Sequence, residues 1–159
     1  MSQKENMASV CPTLFLIFIF GWAAVPVMSE INKSSNKDQY HKFLKQHVIK
    51  NMKTNGCDNA MKIFDRTPCK PINSFIVSED INVIKDVCTT AGSTCSSELH
   101  ISNNSFHVIT CIHQGRSNSS PCTYKGQEST KKIIITCKGE LPVHYAGGVA
   151  PHTSAEESV

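Results

Sequence analysis

Seven cysteines lie between Cys57 and Cys137, and they constrain this chain more than any other feature. They are Cys57, Cys69, Cys88, Cys95, Cys111, Cys122 and Cys137; an eighth, Cys11, stands far upstream. A chain of 159 residues holds one domain with a modest core. At this size and cysteine density the expected architecture is a secreted fold stapled by disulfides. Seven is an odd number, so three bridges leave one thiol over, and the sequence does not fix the pairing. Zinc is the competing use of such cysteines, but no C-x-x-C pair is present. No metal or other cofactor is expected.

The beginning of the chain agrees with secretion. Lys4 precedes an apolar run from Leu14 to Ala24, and Val27 and Ser29 flank Met28 in a small-residue exit. The run is short for a membrane span and has the layout of a signal peptide. The expected division is a leader over residues 1–29 that takes Cys11 with it, a domain over 30–145, and a loose tail over 146–159. Three N-x-[ST] triplets, at Asn32, Asn103 and Asn118, fit a secreted glycoprotein.

Hydrophobic spacing gives the elements. Gln39 to Met52 places Tyr40, Phe43, Leu44, His47 and Val48 at helical intervals. The polar stretch Glu30 to Asp38 before it is expected to fray. Asp58 to Phe64 reads as a second short helix with Ala60, Met61 and Phe64 inward, ended by Arg66 to Pro68. A third short helix, INVIKDVC, follows Glu79 and Asp80. Ile72 to Val77 reads as a strand. Five further β-type runs follow: Leu99–Ile101, Phe106–Ile112, Thr123–Gln127, Lys132–Thr136 and Leu141–Tyr145. Helices first and an antiparallel sheet after them make an α+β fold. Charge is uneven. Glu30 to Phe75 holds nine Lys/Arg against four Asp/Glu, and Ile76 to Val159 six against eight. A basic half suits a polyanion, although an ordinary solvated face would look the same.

Three stretches each carry one group with catalytic potential: KFLKQH (Lys42 to His47), CKPINSF (Cys69 to Phe75) and LPVHY (Leu141 to Tyr145). Singly, each has a structural explanation. His47 reads as a core histidine, Lys70 as a surface lysine and His144 as a strand-edge residue. Together, and in this order, they resemble the pancreatic-type ribonuclease superfamily over roughly Gln39 to Tyr145. CKPINSF is similar to that family's C-K-x-x-N-T-F signature, with serine for threonine. ISNNSFHVITC, PCTY, IIITCKG and LPVH resemble its angiogenin-like branch.

The resemblance implies a three-helix fold with a bent antiparallel sheet and the bridges Cys57–Cys111, Cys69–Cys122 and Cys88–Cys137, leaving Cys95 over. It implies metal-free cleavage of RNA, with His47 as base, His144 as acid and Lys70 as the cation for the phosphorane. Two histidines suit these roles because their reference pKa is about 6.5. Gln46 is implied at the phosphate, Lys42 and Lys45 at flanking phosphates, Ser74 at a pyrimidine edge and Tyr145 stacked on the base. Cys69 and Pro71 on either side of Lys70 would hold it in place. Implied partners are RNA, a ribonuclease-inhibitor protein and cell-surface polyanions, with the chain a monomer. The sequence also departs from the family pattern. Ala146 stands where an aspartate commonly orients the second histidine, and Lys138 where an acidic residue follows the cysteine. The basic cluster before CK is reduced to Lys62 and Arg66. The rival expectation is a cationic defence or signalling protein that binds microbial or cell surfaces, for which a net charge of +3 is low.

Overall fold

The computed structural model describes residues 28–64, 67–116 and 120–151, with backbone alone for 28–32 and 34. The expected leader lies outside these residues apart from its last two, whose backbone opens the first helix. Arg66, Asn118 and the side chain of Asn32 also lie outside.

Helix α1 spans Met28–His47 and leads directly into β1, Val48–Ile49. The helix therefore begins well before Gln39, and the stretch expected to fray is helical. Residues 33–38 carry no apolar stripe; their helix is an extension of the turn that Phe43 and Leu44 anchor in the core. A 3₁₀ turn at Thr54–Gly56 precedes α2, Cys57–Ala60, which tightens into a second 3₁₀ turn at Met61–Phe64. Strand β2 is Ile72–Val77. Helix α3, Asn82–Lys85, continues as a 3₁₀ turn through Cys88. Asp80 Oδ1 accepts a 2.8 Å hydrogen bond from the Asn82 amide at the start of this helix, satisfying one otherwise open donor.

Strands β3 (Gly92–Thr94), β4 (Leu99–Gln114), β5 (Thr123–Lys138) and β6 (Leu141–Val149) complete the fold. The sheet order is β1-β2-β4-β5-β6, with β3 also on β4. All pairings are antiparallel except the parallel contact of β1 with β2. Four of the expected short strands are thus two long ones. A register shift between Ile101 and Ser105 divides β4: its first part pairs with β3 and its second with β2, while β5 runs along both. Strand β6 also runs beyond Tyr145, so residues 146–149 belong to the sheet and not to a tail. Gly147, at φ +136°, allows the accompanying register shift, and Gly148 leaves room for the Lys131 side chain.

Alternation along β2 and β4 builds two cores. Ile76 and Val108 enter one with Phe43, Ile84, Val87, Ile133 and Ile135; Phe75 and Ile109 enter the other with Met52, Cys57, Met61 and Cys111. Disulfides join Cys57 to Cys111, Cys69 to Cys122 and Cys88 to Cys137. Cys95, which the resemblance leaves over, is disulfide-bonded, and no described cysteine is free. Among the described residues no helix is long and apolar enough to cross a membrane.

Candidate active site

The C-terminal end of α1 delivers His47 into a cleft of about 520 Å³, and edge strand β6 delivers His144 into the same cleft. Gln39, Lys42, Gln46, Glu98, Thr136, Lys138 and Val143 line it with them. The positions follow from local rules. Residues 39, 42, 43, 46 and 47 share one side of a helix. On β6, Pro142 is buried and Val143 half-buried, while His144 is exposed opposite Thr136 of β5.

His47 is half-buried and its Nδ1 lies 3.0 Å from the Ser74 carbonyl oxygen. A carbonyl only accepts, so Nδ1 carries the hydrogen and donates it. In the neutral ring Nε2 is then left with its lone pair, the form a general base needs. Burial holds the His47 pKa below the ordinary histidine value. The Ser74 bond opposes that effect, and the nearby charges of Lys70 and His144 add to it. The folded ring therefore resists protonation more than the unfolded one. As pH falls below about 6.5 the unfolded chain takes up a proton here that the folded chain refuses, so stability declines through that interval. Proton NMR titration of the His47 ring is expected to give a midpoint below 6.5, moving upward in His144→Asn as one positive neighbour is lost. A midpoint at or above 6.5 in the unmodified protein would contradict this account.

Lys70 approaches from the start of β2. Its Nζ donates to Asn73 Oδ1 at 2.8 Å and stands 3.8 Å from the centre of the Phe64 ring. Asn73 is 4% exposed, and its Nδ2 donates to the Gln46 carbonyl at 2.9 Å. One buried amide thus ties the lysine to the end of α1. The asparagine lies within CKPINSF, and the motif itself was the signal that could have identified it. Ser74 faces Thr110 directly across β2 and β4, with their hydroxyls 3.0 Å apart. Thr110 has no motif to mark it; only strand register reveals it.

Tyr145 does not stand open. Its ring stacks on His47 with centroids 5.5 Å apart and planes 24° from parallel, and it packs against the first core. Its hydroxyl is buried beside Ser74 without a hydrogen bond of good geometry. Burial pushes its pKa up, and the Ser74 hydroxyl pulls the other way. The geometry therefore gathers His47, His144, Lys42 and Gln46 along the cleft, with Lys70, Ser74 and Tyr145 beside His47. Lys45 is exposed and does not line the cleft. Lys138 lines it too, where the resemblance implies an acidic residue, and Glu98 supplies a carboxylate from a different segment. Glu98 is held there by its carbonyl, which accepts the Cys137 amide at 2.7 Å.

Comparisons with known proteins find relatives over most of the chain. The family model described as pancreatic ribonuclease matches residues 38–146. Ribonuclease-like 3 of Danio rerio is 39% identical over 119 residues, covering 70% of this chain and 79% of that protein. Angiogenin-4 of Mus musculus is 36% identical over 143 residues, covering 86% and 93%. The X-ray structure of zebrafish RNase5 superposes with a TM-score of 0.64 at 36% identity, over 70% of this chain and 95% of that one.

Proposed function

This chain belongs to the pancreatic ribonuclease family and is an endoribonuclease, and from that premise we propose that it is secreted and cleaves single-stranded RNA on the 3′ side of pyrimidines without a metal. The observation that carries the reading is the bond from His47 Nδ1 to the Ser74 carbonyl, because it leaves Nε2 as a base in a cleft shared with His144.

In the transphosphorylation step each group has one role. His47 Nε2 takes the proton of the ribose 2′-hydroxyl. The oxygen attacks the adjacent phosphorus, and the P–O5′ bond breaks. His144, in its acid form, gives its proton to the departing 5′-oxygen. Lys70 stabilises the charge that gathers on the phosphoryl oxygens. The product is a 2′,3′-cyclic phosphate, which water opens with the histidines in exchanged roles. Lys42 meets a neighbouring phosphate and makes binding salt-dependent. The paired hydroxyls of Ser74 and Thr110 read the pyrimidine edge, since a hydroxyl both donates and accepts.

A fluorogenic oligodeoxynucleotide containing one ribopyrimidine tests this reading. Cleavage is expected at that linkage alone, undiminished by EDTA and absent from the all-deoxy strand, which lacks the 2′-hydroxyl. Cleavage of the deoxy strand, or its abolition by EDTA, would overturn the mechanism.

A further inference from the structure

Lys70 carries a restraint that phosphoryl chemistry alone does not call for. Besides the hydrogen bond to Asn73, its Nζ sits 3.8 Å over the Phe64 ring centre. Lysine is a compact charge on a flexible four-carbon stem. A bond to one amide oxygen sets a distance, and a ring face adds a direction, because its negative quadrupole attracts the cation along the ring normal. Phe64 is itself held. It closes the 3₁₀ turn at Met61–Phe64 and packs against the core cluster of Met52, Cys57, Met61 and Cys111. It is therefore a platform that does not follow the lysine. An aliphatic side chain could fill much of the same space but would offer no quadrupole.

We propose that Phe64 is a positioning residue for the reaction, its ring face holding the Lys70 ammonium where phosphoryl charge develops. The inference rests on the role given to Lys70 above. Charge on the phosphoryl oxygens grows in the transition state, so a loosened ammonium lowers kcat more than it raises KM.

The test keeps shape and changes electronics. Replacing Phe64 with mono-, di- and trifluorinated phenylalanines weakens the quadrupole step by step. The expected result is a stepwise fall in kcat, reaching roughly three- to tenfold for the trifluoro ring, with KM and Tm little changed. Phe64→Leu is expected to fall by a similar factor, and Phe64→Trp to retain activity. In NMR spectra the Lys70 ε-methylene protons should lie upfield of those of other lysines and return to ordinary positions in Phe64→Leu. A flat kcat series in a protein that cleaves RNA overturns the proposal while leaving the ribonuclease mechanism intact. A wild-type protein that fails to cleave overturns the mechanism, and the positioning role with it.

Discussion

His144→Ala is expected to lower kcat/KM on RNA by about 10²–10⁴-fold while leaving the fold unchanged. The side chain is exposed on edge strand β6, so its loss removes little packing, and the change in stability should stay within about 0.5 kcal/mol. The loss of rate has a specific cause: the 5′-oxygen of ribose departs as a poor leaving group unless it is protonated. That cause separates the two histidines. A uridine 3′-phosphate ester with a nitrophenol leaving group needs no acid. On that substrate His144→Ala should recover most of its activity and His47→Ala should not. Equal losses on both substrates for both variants would mean that the roles are not divided between base and acid as the His47–Ser74 bond implies. His144 has no aspartate two residues on; Ala146 stands there. The wild-type rate should accordingly respond to an acidic residue introduced at that position, with Ala146→Asp raising kcat.

Removing the Cys57–Cys111 bridge should have the largest effect on stability. Both cysteines are almost fully buried in the core that also holds Met52, Met61, Phe75 and Ile109. The bridge closes a span of 54 residues, worth about 4 kcal/mol in the chain-entropy model. Cys57→Ala/Cys111→Ala is therefore expected to cost about 2–5 kcal/mol, lowering Tm by roughly 10 °C or more for a domain of this size. Scanning calorimetry checks it. A fall of only a few degrees would show that apolar packing alone holds α2 against β4. The bridge also affects the site. Phe75 and Ile109 pair across β2 and β4 next to Ser74 and Thr110, so loosening that core loosens the register on which the hydroxyl pair depends.

Much of this could be read in advance, for physical reasons. Helical spacing of Phe43, Leu44 and His47 and the β-type run Ile72 to Val77 are local signals, and local signals name the element. What they could not give is extent. Thr123–Gln127 and Lys132–Thr136 look like two strands because the residues between them are polar. In the fold, the backbone of Glu128–Thr130 is paired with β4, and pairing does not require an apolar side chain. Residues 146–149 look like a tail for the same reason. They are small and weakly apolar, yet their backbone hydrogen bonds to β5, with Gly147 accepting a φ that other residues avoid.

The division is similar at the site. The sequence by itself determined the chemistry available: a histidine at the end of a helix, a lysine between Cys69 and Pro71, a histidine near the end of the last strand, and the motifs that mark them. Only the tertiary structure decided how those groups are held. His47 depends for its tautomer on a carbonyl 27 residues away, Lys70 on an amide that also reaches the end of α1, and Ser74 on a hydroxyl 36 residues on. Tyr145 turned inward onto His47 when its place on β6 brought the two rings together. Side-chain identity is a property of the chain. Hydrogen-bond geometry, burial and the pKa shifts they cause belong to long-range packing, which no short stretch encodes.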